Sequence, residues 1–184
     1  MTNNRFHFGI GVSPWYEDFL ATGERWKNRG KRMDEQIDIL KGLMNGDYFS
    51  YKGEFYDIPE LKLCPAPTKP VPILIGGHSK LALKRAARVG DGWISAGITL
   101  EETKEFIDQI NSFRQEFGTL DHPNYQFQVM GEAAYSSDGI KNLEDLGATE
   151  VIVSFRNAYE GGQDNRTLDG MIAEINWYAE EVIS

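Results

Sequence analysis

Apolar and polar positions along this chain follow two periods, and the change of period separates strands from helices. Short apolar runs typical of buried strands lie near 6–12, 72–75, 93–96, 125–133 and 150–155. Longer segments with helical spacing separate these runs. The alternation predicts an α/β fold of about five βα units, with parallel strands and crossover helices.

Helical spacing is clearest in the segment that ends at Met44, where Met33, Ile37 and Leu40 share its apolar face. An Asn-Gly pair directly after Met44 predicts the end of this helix. A second helix is expected after Ser79. A third is expected to begin at its cap Thr99, with Glu102 in a capping box, and to run to about Phe117. Further helices are expected at 139–146 and 168–183, and a polar loop is expected at 157–166.

Between the first two strands the chain makes a long excursion. Residues 13–19 contain a proline and two large aromatics and are expected to form a loop, in which Trp15 either walls a ligand site or covers the core. The run SYKGEFYDI, near 48–58, predicts a β-hairpin insertion. Five prolines then mark an extended connector. We see no domain boundary here and expect one domain over 1–184.

The centre of the chain is the stretch PILIGGHSKLALKRAARVGDGW, a strand, a glycine turn and a helix. Free N–H groups at a Gly-Gly-x-Ser turn and the positive end of the helix dipole favour an anion such as a ligand phosphate. The alternative is a tight βα turn whose Ser79 only caps its helix. The expected apolar side of that helix is Leu81, Leu83, Ala86, Ala87 and Val89, and its expected water-facing side is Lys84, Arg85 and Arg88.

Composition narrows the class of protein. The 184 residues are 41% hydrophobic and carry a net charge of −9, which disfavours nucleic acid and anionic membranes as partners. The sequence contains no membrane-length apolar run and no signal-peptide core, so a cytoplasmic location is expected. Cys64 has no partner for an internal disulfide and is expected to be a structural thiol. No cluster has metal-ligand spacing, and no metal is expected.

Three motifs in one order carry a resemblance to a known family. They are GIGVSPWYEDFLATG, RGKRMDEQIDILKGLMNGDYFSYKGEFYDI and PAPTKPVPILIGGHSKLALKRAARVGDGW. Together they resemble the bacterial luciferase-like superfamily, and most of all its branch of oxidoreductases that use the deazaflavin coenzyme F420. By itself the alternation of elements fits either an open doubly wound sheet or five eighths of a closed barrel. The resemblance implies the second, a partial (β/α)8 TIM barrel whose first three units are absent.

The resemblance also implies a coenzyme site at the carboxyl ends of the strands. The turn Gly76, Gly77, His78 and Ser79 matches the phosphate end of the coenzyme. The loop Gly11, Val12 and Ser13 follows a strand whose end lies beside the ring system in relatives, and Trp15 is expected to border the substrate. Coenzyme F420, or FMN as the alternative, would supply the chemistry.

No catalytic residue can be named, because Pro14 stands where some F420-using relatives have an acidic residue for proton transfer. The expected function is hydride transfer to or from a small organic substrate. The alternatives are an FMN-dependent monooxygenase, a non-catalytic flavin-binding or incomplete subunit, and a phosphate-handling barrel enzyme without flavin. Two open barrel edges predict a homo-oligomer or another association.

Overall fold

The computed structural model describes residues 3–156 and 165–183, and a parallel β-sheet lies at its centre. The strands are β1 (Phe8–Ile10), β2 (Phe49–Lys52), β3 (Asp57–Leu61), β4 (Ile73–Gly76), β5 (Gly92–Ile94), β6 (Gln126–Met130) and β7 (Glu150–Ile152). The helices are α1 (Tyr16–Thr22), α2 (Arg29–Met44), α3 (Lys80–Val89), α4 (Leu100–Phe117), α5 (Ser137–Asp145) and α6 (Leu168–Tyr178), with a 3-10 turn at Glu132–Tyr135 and a π turn at Ala179–Ile183.

The order of the strands decides between the two architectures that the sequence left open. The sheet runs β1-β4-β5-β6-β7, and every neighbouring pair is parallel. Apart from the separate β2–β3 hairpin, each strand therefore lies beside the one that precedes it along the chain. In a doubly wound sheet the order of the strands reverses at a switch point. The order here does not reverse, so that alternative is wrong. The order is the one found in consecutive units of a β/α barrel.

The two faces of the sheet differ. Ile73, Ile75 and Trp93 pack with α3 and α4 in the hydrophobic core, and Trp93 has no exposed surface. Because side chains alternate along a strand, Gly76 and Ile94 point to the opposite, inner face. Across that face Gly76 is in register with Ile94, Ile94 with Gln128, and Gln128 with Glu150. The side chain of Gln128 donates a hydrogen bond to Glu150 over 2.7 Å.

The predicted capping residues are confirmed. The hydroxyl of Ser79 accepts a hydrogen bond from the amide of Ala82 at 3.2 Å, which begins α3. Thr99 and Glu102 form the reciprocal capping box of α4, with distances of 2.9 and 3.2 Å. These caps are short-range interactions, which explains why the sequence reveals them.

Several expectations about individual segments are wrong. Residues 16–22 form the helix α1 instead of a loop, and the strand expected at 125–133 ends at Met130, where a 3-10 turn follows. Strand β7 is half-exposed instead of buried, because it forms one edge of the sheet. Cys64 is exposed, so it does not pack as a structural thiol. The polar loop expected at 157–166 lies mostly outside the described residues.

The hairpin β2–β3 is held to α2 by one carboxylate. Glu35 accepts hydrogen bonds from the amides of Glu54, Phe55 and Tyr56, at distances between 2.7 and 3.3 Å. These amides lie in the loop between the two strands, where no group of the hairpin accepts a hydrogen bond from them. The insertion is therefore attached to the helix that precedes it.

Helix α3 buries a residue that was expected to face water. Arg85 is 9% exposed; its Nε donates to Asp34 at 2.7 Å, and its Nη2 donates to the carbonyl oxygen of Gly30 at 3.0 Å. Leu81, expected in the core, is 73% exposed. Arg85 is buried because α2 lies against its side of α3 and supplies Asp34, a partner that the local sequence of α3 does not reveal.

We expect Arg85→Met to lower the free energy of unfolding by about 2 kcal/mol or more, because it leaves the Asp34 carboxylate without its main partner. Arg88→Met is the matched control, since Arg88 is 53% exposed and lies farther away, at 3.4 Å from Asp34. Its effect should stay within about 0.5 kcal/mol. Urea denaturation of both variants measures this, and equal effects would contradict the buried clamp.

Candidate coenzyme site

The two segments proposed for the coenzyme lie side by side at the carboxyl edge of the sheet. Strand β1 is in register with β4 through Ile10 and Ile75, so the residues that follow each strand are neighbours. A Cβ atom added to Gly11 would lie 3.6 Å from the carbonyl oxygen of Gly76. Two stretches that are far apart in the sequence therefore form one continuous edge.

Trp93 fixes the glycine turn after β4. Its indole Nε1 donates a hydrogen bond to the carbonyl oxygen of Gly77 at 2.9 Å. Gly77 has φ +117°, a backbone conformation that favours glycine. Because the peptide is planar and trans, the amide of His78 points away from Trp93. Within the described ranges, no protein group accepts a hydrogen bond from the amides of His78 or Ser79.

The His78 ring connects this turn to the next loop. Its Nε2 accepts a hydrogen bond from the amide of Ala96 at 3.1 Å, so the ring proton of the neutral form lies on Nδ1. The ring stacks on Phe106 with centroids 5.1 Å apart. Burial lowers the pKa of His78, and the nearby Glu102 carboxylate opposes this in part. A merely solvated histidine, which the sequence left open, would make none of these contacts.

On the inner face, Gly9, Gly11 and Gly76 leave the ends of β1 and β4 without side chains. Ile94 lies across this area: its methyl groups would be 3.4 Å from a Cβ at Gly76 and 3.9 Å from one at Gly9. Backbone without side chains, beside a turn with unpaired amides, suits the close approach of a planar ring that carries a phosphate-bearing chain. The residues present therefore fit a flavin-type coenzyme.

Gly11, Val12 and Ser13 also line a cleft of about 280 Å³ between β1, α1 and α2. The glycine turn does not line this cleft, and the two proposed segments lie next to each other at Gly11 and Gly76. The Ser13 hydroxyl donates to the Asp18 carboxylate and accepts from the amide of Trp15. Trp15 is 48% exposed, and its place beside a substrate stays a prediction.

Sequence reasoning missed the arginines of this cleft, Arg29 and Arg32. A signal for them existed: two cations three residues apart open a helix whose first turn has no acidic residue. Cations are disfavoured at that end of the helix dipole. Such a local conflict often marks a functional site.

The described part of the chain has neither a metal-binding cluster nor a membrane-spanning helix. It contains no group of three or more His, Cys, Asp or Glu side chains that could hold a metal ion. It also contains no helix long and apolar enough to cross a membrane.

Fold and site together define an α/β protein of consecutive βα units with a ligand edge at the carboxyl ends of its strands. The chain belongs to the luciferase-like monooxygenase family, whose model matches residues 1–151. A solved F420-dependent secondary alcohol dehydrogenase, in complex with an F420-acetone adduct, superposes with a TM-score of 0.62 at 19% identity. The superposition covers 70% of this chain and 40% of that one. The sheet is therefore part of a (β/α)8 barrel.

Relatives in sequence use two coenzymes. An uncharacterised protein of Mycobacterium tuberculosis is 44% identical over all 184 residues, so this chain spans 63% of that relative's length. An FMNH2-dependent dimethylsulfone monooxygenase of Pseudomonas fluorescens is 35% identical over 61% of this chain and 32% of its own. An F420-dependent glucose-6-phosphate dehydrogenase of Amycolatopsis mediterranei is 30% identical over 51% of this chain and 29% of its own. The family thus has both F420- and FMN-dependent members.

We expect the free energy of unfolding to fall as the pH is lowered through the titration range of His78. Because burial lowers the folded-state pKa, the unfolded chain binds the proton first. The contribution of neutral His78 is then complete above the ordinary pKa of about 6.5 and is lost below it. Urea unfolding between about pH 7.5 and pH 5 should show a shallower fall for His78→Gln. Identical slopes in the two proteins would contradict the buried neutral ring.

Proposed function

We propose that this chain carries the coenzyme site of a luciferase-like oxidoreductase that transfers hydride between coenzyme F420 and a small organic substrate. One observation supports it above all: the turn at Gly77 presents unpaired amides beside a glycine surface. The resemblance of the three motifs to the F420 branch favours that coenzyme.

In this proposal the chain's own groups bind and orient the coenzyme. The amides of His78 and Ser79, with the first turn of α3, hold the phosphate, and the Ser79 hydroxyl can donate to it while it caps the helix. Gly11 and Gly76 let the planar ring approach the backbone. The coenzyme supplies the hydride chemistry. We assign no residue of this chain to proton transfer.

FMN is the second candidate coenzyme, since the dimethylsulfone monooxygenase relative depends on FMNH2. The same turn would hold the phosphate of FMN equally well. A non-catalytic or incomplete subunit is the third possibility, because the chain spans 63% of the length of its Mycobacterium tuberculosis relative. Turnover with a reduced coenzyme separates an enzyme from a binding subunit.

Fluorescence titration of the chain with F420 and, separately, with FMN tests the coenzyme site. We expect saturable binding, stronger for F420. Gly77→Ala combined with Ser79→Ala should weaken binding about tenfold or more, because it strains the turn and removes a hydrogen bond to a charged group.

The matched control is Ser136→Ala. Ser136 caps α5 through a 3.1 Å bond to the amide of Gly139, so this change removes an equivalent cap and leaves the turn intact. Control and wild type should bind alike. If the double variant binds as well as the wild type, the phosphate assignment is wrong. If neither coenzyme binds the folded chain, this chain alone does not form the site.

The sheet edges predict association. Among the described residues, β1 and β7 each pair on one side only, and α6 leaves Ile172 and Ile175 about half exposed. Unpaired edges and apolar surface favour contact with further polypeptide. We therefore expect sedimentation to show species larger than a monomer. A monodisperse monomer that unfolds cooperatively would contradict this.

A further inference from the structure

The cleft beside Gly11, Val12 and Ser13 has an apolar part and a charged part. Val12, Phe19 and Met33 give it apolar walls, and the first turn of α2 adds two guanidinium groups. Its volume of about 280 Å³ holds a small organic molecule, since a water molecule takes about 30 Å³. The cleft opens at the carboxyl end of β1, next to the surface proposed for the coenzyme ring.

Arg29 is a cation without a matching anion in this cleft. Its guanidinium stacks on Trp26, with Cζ 3.5 Å from the ring centroid, and Nη1 donates to the carbonyl oxygen of Trp26 at 3.5 Å. Nε is buried and has no hydrogen-bond partner. Over residues 3–156 and 165–183, no carboxylate lies within ion-pair distance of Arg29. An unpaired, partly buried charge is unfavourable.

Arg32 presents a second guanidinium to the same cleft. Its side chain is 13% exposed, and Glu24 pairs with it at 3.4 Å from the rim, where the glutamate side chain is 59% exposed. Residues three apart on a helix lie on one side of it, so Arg29 and Arg32 face the cleft together. Both also lie in the first turn of α2, where the helix dipole favours an anion.

The acidic groups of the cleft do not satisfy Arg29. Asp18 accepts a hydrogen bond from the Ser13 hydroxyl, and Glu24 is paired with Arg32. The chain as a whole carries a net charge of −9, so its general surface repels anions. An anion that binds here must therefore do so through local contacts with the two arginines.

We propose that this cleft binds the carboxylate of a small organic molecule, with the fork of Arg29 on the carboxylate and the apolar part against Phe19 and Met33. A planar guanidinium matches a carboxylate in two-point geometry, and stacking on Trp26 holds it in place. That this molecule is the substrate rests on the proposed function, because only the coenzyme site makes the cleft a reaction site. The binding of a carboxylate does not depend on the coenzyme.

Benzoate is the probe, and benzamide is its neutral counterpart of the same shape. Isothermal titration of the full chain without coenzyme should show saturable benzoate binding and at least about tenfold weaker benzamide binding. Arg29→Gln should weaken benzoate about tenfold, the loss expected for a charge-assisted hydrogen bond. Amide NMR shifts caused by benzoate should concentrate at Ser13 and Thr22.

Lys31→Gln is the matched control. It removes the same charge from the same turn of α2, but the Lys31 side chain is 66% exposed and faces Glu54 instead of the cleft. It should leave benzoate binding unchanged. Arg29→Lys keeps the charge without the fork and should bind with intermediate strength, which keeps the test valid if Arg29→Gln does not fold.

Three results would overturn the proposal: no saturable benzoate binding, equal binding of benzamide, or equal losses at Arg29 and Lys31. The outcomes separate it from the coenzyme site. Benzoate binding without F420 or FMN binding would leave the carboxylate site standing and remove the proposed function. Coenzyme binding without benzoate binding would do the reverse.

Discussion

The candidate site depends on one hydrogen bond, from the buried indole of Trp93 to the carbonyl oxygen of Gly77. Trp93 is held without exposed surface among the helix-facing residues of the sheet, so the position of its Nε1 is set by the core. The bond turns the Gly77 peptide and thereby the amide of His78. The stacking of His78 on Phe106 and its bond to Ala96 then hold the turn against the next loop. Core packing and ligand geometry are therefore coupled here.

Two arginines, one on α2 and one packed against it, have different environments. Arg85, on α3, is buried and finds two acceptors, Asp34 and Gly30, and so joins the two helices. Arg29, at the start of α2, contacts an aromatic ring and a carbonyl group, and no carboxylate among the described residues pairs with it. The first arrangement is what a structural ion pair requires. The second leaves a charge facing a cleft, which is the arrangement expected where a ligand supplies the missing anion.

The glycine surface and the cleft lie on either side of Gly11. One side suits a planar coenzyme with a phosphate, and the other suits a small molecule with a carboxylate. The chain spans 63% of the length of its Mycobacterium tuberculosis relative, and among the described residues β1 and β7 each pair on one side only.

Part of this structure follows from local sequence. Alternating apolar runs predict the five strands, and the caps at Ser79 and Thr99 mark where α3 and α4 begin. Only the resemblance assigned the glycine turn and the Gly11 loop to one coenzyme, at its phosphate end and its ring end, and the pairing of β1 with β4 places the two segments side by side. Periodicity and capping act within a few residues, so the sequence alone is sufficient to show them.

Only the tertiary structure decided which helix faces are covered. The buried Arg85 pairs with Asp34, which lies 51 residues away along the chain. Leu81 is exposed although its position in the sequence fits the apolar side of α3. The half-exposed β7 and the cleft at Arg29 likewise depend on which elements lie beside them. Burial is a property of partners distant in sequence, and local patterns of apolar residues contain no information about where those partners lie.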